Sequence, residues 1–168
     1  MPGSLFAALA RFPLALRALG FLACLAGVVA ASHLGGFAGP EEEVLGYLQN
    51  LAHAPLFGAL ALSFLVLLGP AAPLRPLVWP ATLALVLAAG LLDEWHQTTV
   101  ETRGSDLKDV VTDLLGAFTA LVLAAWSARA PLRLAGGALR FAVLIALLLG
   151  WGLVVHHAPV VPLPFLPA

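Results

Sequence analysis

Two polar runs and one histidine in this 168-residue chain have the types and spacing of a chemical site. In DEWHQ, Glu94 and Gln97 are three residues apart and share a helix face, with Asp93 and His96 forming a neighbouring stripe. In SDLKDVVTDLLGAF, Asp106, Asp109, Asp113, Gly116 and Ala120 recur at spacings of 3, 4, 3 and 4, one seam of a helix. Only the eight residues TTVETRGS join the two polar faces, so the helices that carry them are antiparallel neighbours whose polar faces converge. His53, in NLAHAPLFGAL, falls at a depth comparable to Glu94 and Asp113.

Converging carboxylates offer two kinds of chemistry. They can hold a divalent cation through oxygen ligands, with Glu94, Asp109 and Asp113 as the candidates, or divide into a general acid and a general base. Arg103 immediately precedes the second helix, where free amide donors and the positive dipole end favour an anion such as a lipid phosphate or a carboxylate. The same arginine can instead neutralise the acids in a purely structural network that ties the two helices together. Asp106 and Asp109 are also explained by capping, since Asp106 or Ser105 suits an N-cap and acids in a first turn oppose the dipole. Asp113 is not explained that way. It lies one turn deeper than Asp109, about 6 Å along the axis, where an ionised side chain facing lipid is costly. It must face the bundle, carry a proton or have a partner.

The elements that position these residues follow from composition. Hydrophobic residues make up 61% of the chain and charged ones 10%, with a mean hydropathy of +1.01, far from the balance of a soluble domain. The chain is therefore read as an all-α membrane protein, one domain over residues 1–168. A spanning helix needs about 20 apolar residues, and five stretches qualify: 14–32, 51–69, 77–92 (or on to 97), 110–127 and a fifth helix at about 137–155. The connections are short and contain Gly and Pro, as in a compact helical bundle. The first span follows Arg11 and Arg17 in the manner of a signal peptide, but four more spans follow it, so a retained helix is expected. Cys24, the only cysteine, reads as a small core or lipid-facing residue.

Orientation comes from the basic residues of the short loops, which stay cytoplasmic. With five spans and a cytoplasmic N-terminus, six of the eight basic residues obey the rule, Arg103 and Lys108 being the exceptions. The C-terminus is then extracytoplasmic. All nine acids and all five histidines gather at or near the outer face. Of the histidines, His33, His156 and His157 read as interfacial residues outside the site, and His96 as a solvated one. Gly116 reads as a close-packing position and the four tryptophans as interface anchors or packing residues. The C-terminal HHAPVVPLPFLPA is expected to run extended along the outer surface.

Glu94 and Gln97 before a short loop, Arg103 in TRGS, then Asp109 and Gly116 on the next helix, with His53 at the start of the second span, resemble the VanZ-like family of small membrane proteins. That family takes its name from an accessory protein of teicoplanin resistance. The resemblance covers about residues 10–130, most specifically 90–120. The chain departs from the family pattern at Asp113, often Asn, at Gln49 and Asn50, where Lys or Asp often precedes the histidine, and at Phe57, often Tyr. The resemblance implies an envelope-related role, with lowered binding of lipoglycopeptide antibiotics at the cell surface.

The leading expectation is an extracytoplasmic polar cleft, formed by His53, Glu94, Gln97, Arg103, Asp109 and Asp113, that binds an amphiphilic envelope lipid or a lipoglycopeptide-type drug. The expected partners are thus membrane lipids and such a ligand, with no nucleic acid; the oligomeric state is left open. One alternative is a metal-assisted hydrolase or transferase acting on a lipid phosphate or lipid-linked sugar, for which a divalent cation is the possible cofactor. Neither a Ser-His-Asp or cysteine nucleophile pattern nor HExxH is present to name catalytic residues. A second alternative is a proton-coupled transporter, which intramembrane carboxylates favour and the nearly apolar inner half of the bundle disfavours.

Overall fold

The computed structural model describes residues 5–33, 42–100, 104–129 and 134–164. They form six α-helices: α1 (Leu5–Leu9), α2 (Leu14–Ser32), α3 (Glu42–Leu68), α4 (Val78–Gln97), α5 (Leu107–Arg129) and α6 (Leu134–His157). A single 3-10 turn, Ala72–Leu74, links α3 to α4. Among the described residues, four helices are long and apolar enough to cross a membrane: α2, α3 from Tyr47, α4 and α5. The described part of α6 carries a shorter apolar run, Ala142–Val155. Hydrogen-bonded helices are the solution that lets apolar segments enter lipid without orphaned backbone groups.

Several elements differ from those read in the sequence: α5 runs over Leu107–Arg129 rather than 110–127 and α6 over Leu134–His157 rather than 137–155. α3 begins at Glu42 rather than at 51, because the polar residues that precede the apolar run continue the same helix. α1 was not anticipated; its five residues are too few to show a period. It is held by tertiary contact, with Phe6 and Ala10 buried against Leu65, Ala72, Leu121 and Ala124.

The centre of the bundle is the pairing of α3 with α5, the most extensive contact in the fold. Its closeness depends on glycine. A Cβ on Gly116 would lie 2.8 Å from the Ala54 Cα and closer still to the Ala54 carbonyl oxygen, and one on Gly58 would lie 3.1 Å from the Gly116 oxygen. Small residues let two backbones touch where side chains would hold them apart. Around this seam Val28, Phe57, Leu60, Ala61, Val86, Ala89 and Ala117 form the main apolar core. Leu16, Leu19, Leu22, Leu92, Leu147 and Val154 are exposed, as a lipid-facing surface requires.

Helix ends at one pole of the bundle are tied by arginine. Arg17 Nη1 donates to the Val66 and Leu67 carbonyls at 3.2 and 2.9 Å, satisfying acceptors at the end of α3 that have no intrahelical partner. Gly69, at φ +103°, turns the chain out of that helix. Two tryptophans are anchored to protein as well: Trp79 Nε1 donates to the Pro73 carbonyl at 3.0 Å, and Trp151 Nε1 to Thr112 Oγ1 at 2.8 Å.

Candidate functional site

At the opposite pole, the last turns of α4 and the first turns of α5 face His53 of α3. α4 contributes Gly90, Asp93, Glu94 and Gln97, all buried, and α5 contributes Asp109 and Asp113, also buried. Glu94 and Asp113 have no solvent exposure at all. Seven-residue spacing from Gly90 to Gln97 and four-residue spacing from Asp109 to Asp113 set these groups on single faces. His53 is buried between the two acids of α5. Its Nδ1 lies 2.9 Å from Asp113 Oδ1, so one proton bridges ring and carboxyl, and its Nε2 lies 3.9 Å from Asp109 Oδ2.

Glu94 and Gln97, which share a face by spacing, make different bonds. Glu94 Oε2 accepts from the Asp106 backbone N–H at 2.6 Å and so ties α4 to the start of α5. Gln97 Nε2 donates instead to Asp93 Oδ2 at 2.6 Å, one turn back on its own helix. Arg103 lies outside the described residues. The structure therefore groups His53, Glu94, Gln97, Asp109 and Asp113 at one end of the bundle and leaves the arginine's contribution unstated.

The carboxylate oxygens Glu94 Oε1 and Asp113 Oδ2 are buried without a hydrogen-bond partner among the described residues. The room for the second is made by Gly90, where a Cβ would stand 2.6 Å from Asp113 Oδ2. This glycine was not singled out in the sequence, although its place one turn before Glu94 puts it on the same face. Asp93 was assigned to a neighbouring stripe and proves to be part of the wall.

The start of α5 is closed by the C-terminal segment. Asp106 is its N-cap, with Oδ1 accepting from Lys108 N at 3.0 Å and from Val161 N at 3.2 Å. Leu107 N donates to the Val161 carbonyl at 2.9 Å, and Leu163 N to Ser105 Oγ at 3.4 Å. Lys108 Nζ pairs with Asp106 Oδ2 at 3.1 Å and donates to the Val155 and Ala158 carbonyls at 3.2 and 2.9 Å, which caps α6. The non-helical residues that follow α6 thus run across the entrance to α5.

Two hollows open beside the cluster. The smaller, of about 80 Å³, is bounded by Ser32, Gln49, His53, Asp93 and Gln97. The larger, of about 210 Å³, runs between α2 and α4 over Leu25, Val28, Ala89, Leu92 and Trp95. They adjoin at Ser32 and Asp93. His96, expected to be solvated, bridges these helices: its Nδ1 is 3.3 Å from Ser32 Oγ and its ring centroid is 4.3 Å from that of His33. Among the described residues, no group of three or more His, Cys, Asp or Glu side chains is arranged to hold a metal ion. His53 stands against both acids of α5.

A family model described as VanZ/LLP1 matches residues 8–128, most of the chain and all of the helices that meet at this cluster. The chain belongs to the VanZ/LLP1 family. The match runs through α2 to α5 and stops before α6, so the VanZ/LLP1 region contains His53 and every buried acid described above. No curated protein and no solved structure matches the chain.

Proposed function

We propose that this VanZ/LLP1 protein binds the polar head of an amphiphile, an envelope lipid or a lipid-tailed glycopeptide drug, at the His53 end of its bundle. The reading rests on one observation: a small hollow walled by His53, Asp93, Gln97 and Ser32 adjoins an apolar groove between α2 and α4. A ligand with a polar head and an aliphatic tail matches that sequence of surfaces, because each part meets its own kind of wall. The distribution of basic residues favours a cytoplasmic N-terminus, so the site lies on the extracytoplasmic face of the cell membrane. There it is positioned to intercept a lipoglycopeptide such as teicoplanin or the lipid such a drug seeks, which contributes to resistance.

The test is a susceptibility assay on cells expressing the parent chain or variants at matched membrane levels. His53→Ala, Asp93→Asn and Val29→Trp are expected to abolish any protection against teicoplanin; Val29 lines the groove and is exposed, so a bulky residue there fills it without disturbing the core. Protection retained by all three would sink the proposal.

The His53–Asp113 bond favours a second reading. A histidine set between two carboxylates, with Nδ1 2.9 Å from Asp113 and Nε2 3.9 Å from Asp109, is a grouping suited to general acid–base catalysis. Under it the chain hydrolyses a lipid phosphate ester, and release of phosphate from a defined lipid substrate, lost in His53→Gln, is the expected result.

A further inference from the structure

A further hollow lies at the other pole. It is a groove of about 440 Å³ between α1, α2 and α3, within the ~300–1,000 Å³ range of ligand pockets. Leu9, Phe12, Phe21, Cys24 and Leu62 line it, so its walls suit an aliphatic chain. Its polar boundary is Arg17, whose Nη1 is held by the α3 carbonyls and whose Nε is buried without a hydrogen-bond partner. Arg11, exposed, stands between the groove-lining Leu9 and Phe12.

Charge decides which headgroup fits. Arg17 lines the groove and Arg11 adjoins its lining residue Phe12 in the chain, while Arg75 and Arg129 lie at the same pole, after the 3-10 turn and at the end of α5. Asp93, Glu94, Asp106, Asp109 and Asp113 stand at the opposite pole, where α3 also begins with Glu42 and Glu43. A groove with an apolar floor and an arginine rim, opening on the bundle's flank, matches a lipid with a negative headgroup. Basic residues beside a leaflet attract anionic lipid, and cytoplasmic leaflets carry it.

We propose that this groove is a binding site for an anionic glycerophospholipid, with one acyl chain along Phe21, Cys24 and Leu62 and the headgroup phosphate on Arg17 and Arg11. The site is separate from the His53 cluster and does not depend on what that cluster binds.

Glycine makes the test clean. Gly20 lines the groove, and a Cβ there meets nothing within 4 Å, so Gly20→Leu fills the space without a clash and improves helix propensity. Gly27, on the same helix, is equally open but does not line the groove, so Gly27→Leu controls for bulk. The full chain, purified in detergent, is incubated with phosphatidylglycerol or phosphatidylcholine of identical acyl chains, and bound lipid is counted by native mass spectrometry. Helicity and melting temperature are recorded for each variant. For the parent and Gly27→Leu, phosphatidylglycerol is expected to be retained roughly 5- to 30-fold better than phosphatidylcholine, the preference that one or two arginines confer. Gly20→Leu, still folded, is expected to lose that retention, and Arg11→Gln to narrow the preference. Equal retention of the two lipids by the parent, or retention of phosphatidylglycerol by folded Gly20→Leu, overturns the assignment.

Discussion

Gly90→Ala tests the packing of the acidic cluster with a single methyl group. In an exposed helix this substitution stabilises by about 1 kcal/mol, because alanine loses less backbone freedom than glycine. Here the added carbon would stand 2.6 Å from Asp113 Oδ2, while the Asp113 Cγ and Cβ lie at 3.6 and 3.8 Å, ordinary contact distances. Only the carboxylate oxygen collides, and it must retreat by about 1 Å to reach van der Waals separation. The carboxylate is short, fully buried and held at its other oxygen by His53 at 2.9 Å. Turning it away from the new methyl therefore pulls Oδ1 off the histidine.

A buried hydrogen bond that involves a charged group contributes about 1.5–3 kcal/mol. Set against the helix gain, Gly90→Ala is expected to cost about 0.5–2 kcal/mol net. The decisive form is a double-mutant cycle with Asp113→Ala, measured by reversible unfolding in mixed micelles. Once the carboxylate is gone the methyl meets open space and the helix gain returns, so the coupling energy is expected to be about 1.5–3 kcal/mol. Strict additivity, or a stabilised Gly90→Ala in the parent background, refutes the reasoning.

Other positions test the remaining contacts. Gly116→Ala places its Cβ against the Ala54 backbone rather than a side-chain tip, so α3 and α5 must move apart, and a loss of roughly 1–3 kcal/mol or more is expected in the same unfolding assay. Asp106→Ala removes the α5 N-cap and the acceptor for Val161 N–H, at a cost of about 1 kcal/mol; hydrogen exchange at Leu107, Val161 and Leu163 is expected to rise while α3 amides stay protected. Glu94→Ala strands the part-buried Asp106 N–H and is expected to cost about 1–3 kcal/mol, whereas Glu94→Gln, whose carbonyl oxygen can accept the same bond, costs less; equal losses in the two variants contradict this assignment.

Much of this arrangement is legible in the sequence because it follows from period and loop length. Apolar runs mark the helices, and the 3-4-3-4 seam through Asp106, Asp109, Asp113, Gly116 and Ala120 marks the face that α5 turns inward. The short connection sets α4 beside α5. What escapes notice depends on distant partners. The value of Gly90 comes from an oxygen on another helix, and the bond between Asp93 and Gln97 from the choice between two neighbours at similar spacing. α1 is a helix only in contact with Leu65 and Leu121, and the pairing of Val161 with Leu107 joins segments remote in the chain. The groove between α2 and α4 has no local signature at all, because it is a gap between helices and not a property of either.

The most direct test of the proposed function is binding of a lipid-tailed glycopeptide, with teicoplanin as the probe, to the purified full chain, alongside the same glycopeptide with its acyl tail removed. The tailed form is expected to bind and the deacylated form to bind far more weakly. Val29→Trp should abolish the difference by filling the groove, and His53→Ala should weaken binding while leaving the helices intact. Equal binding of the two forms, or undiminished binding to both folded variants, would contradict an amphiphile site at the His53 end of this VanZ/LLP1 protein.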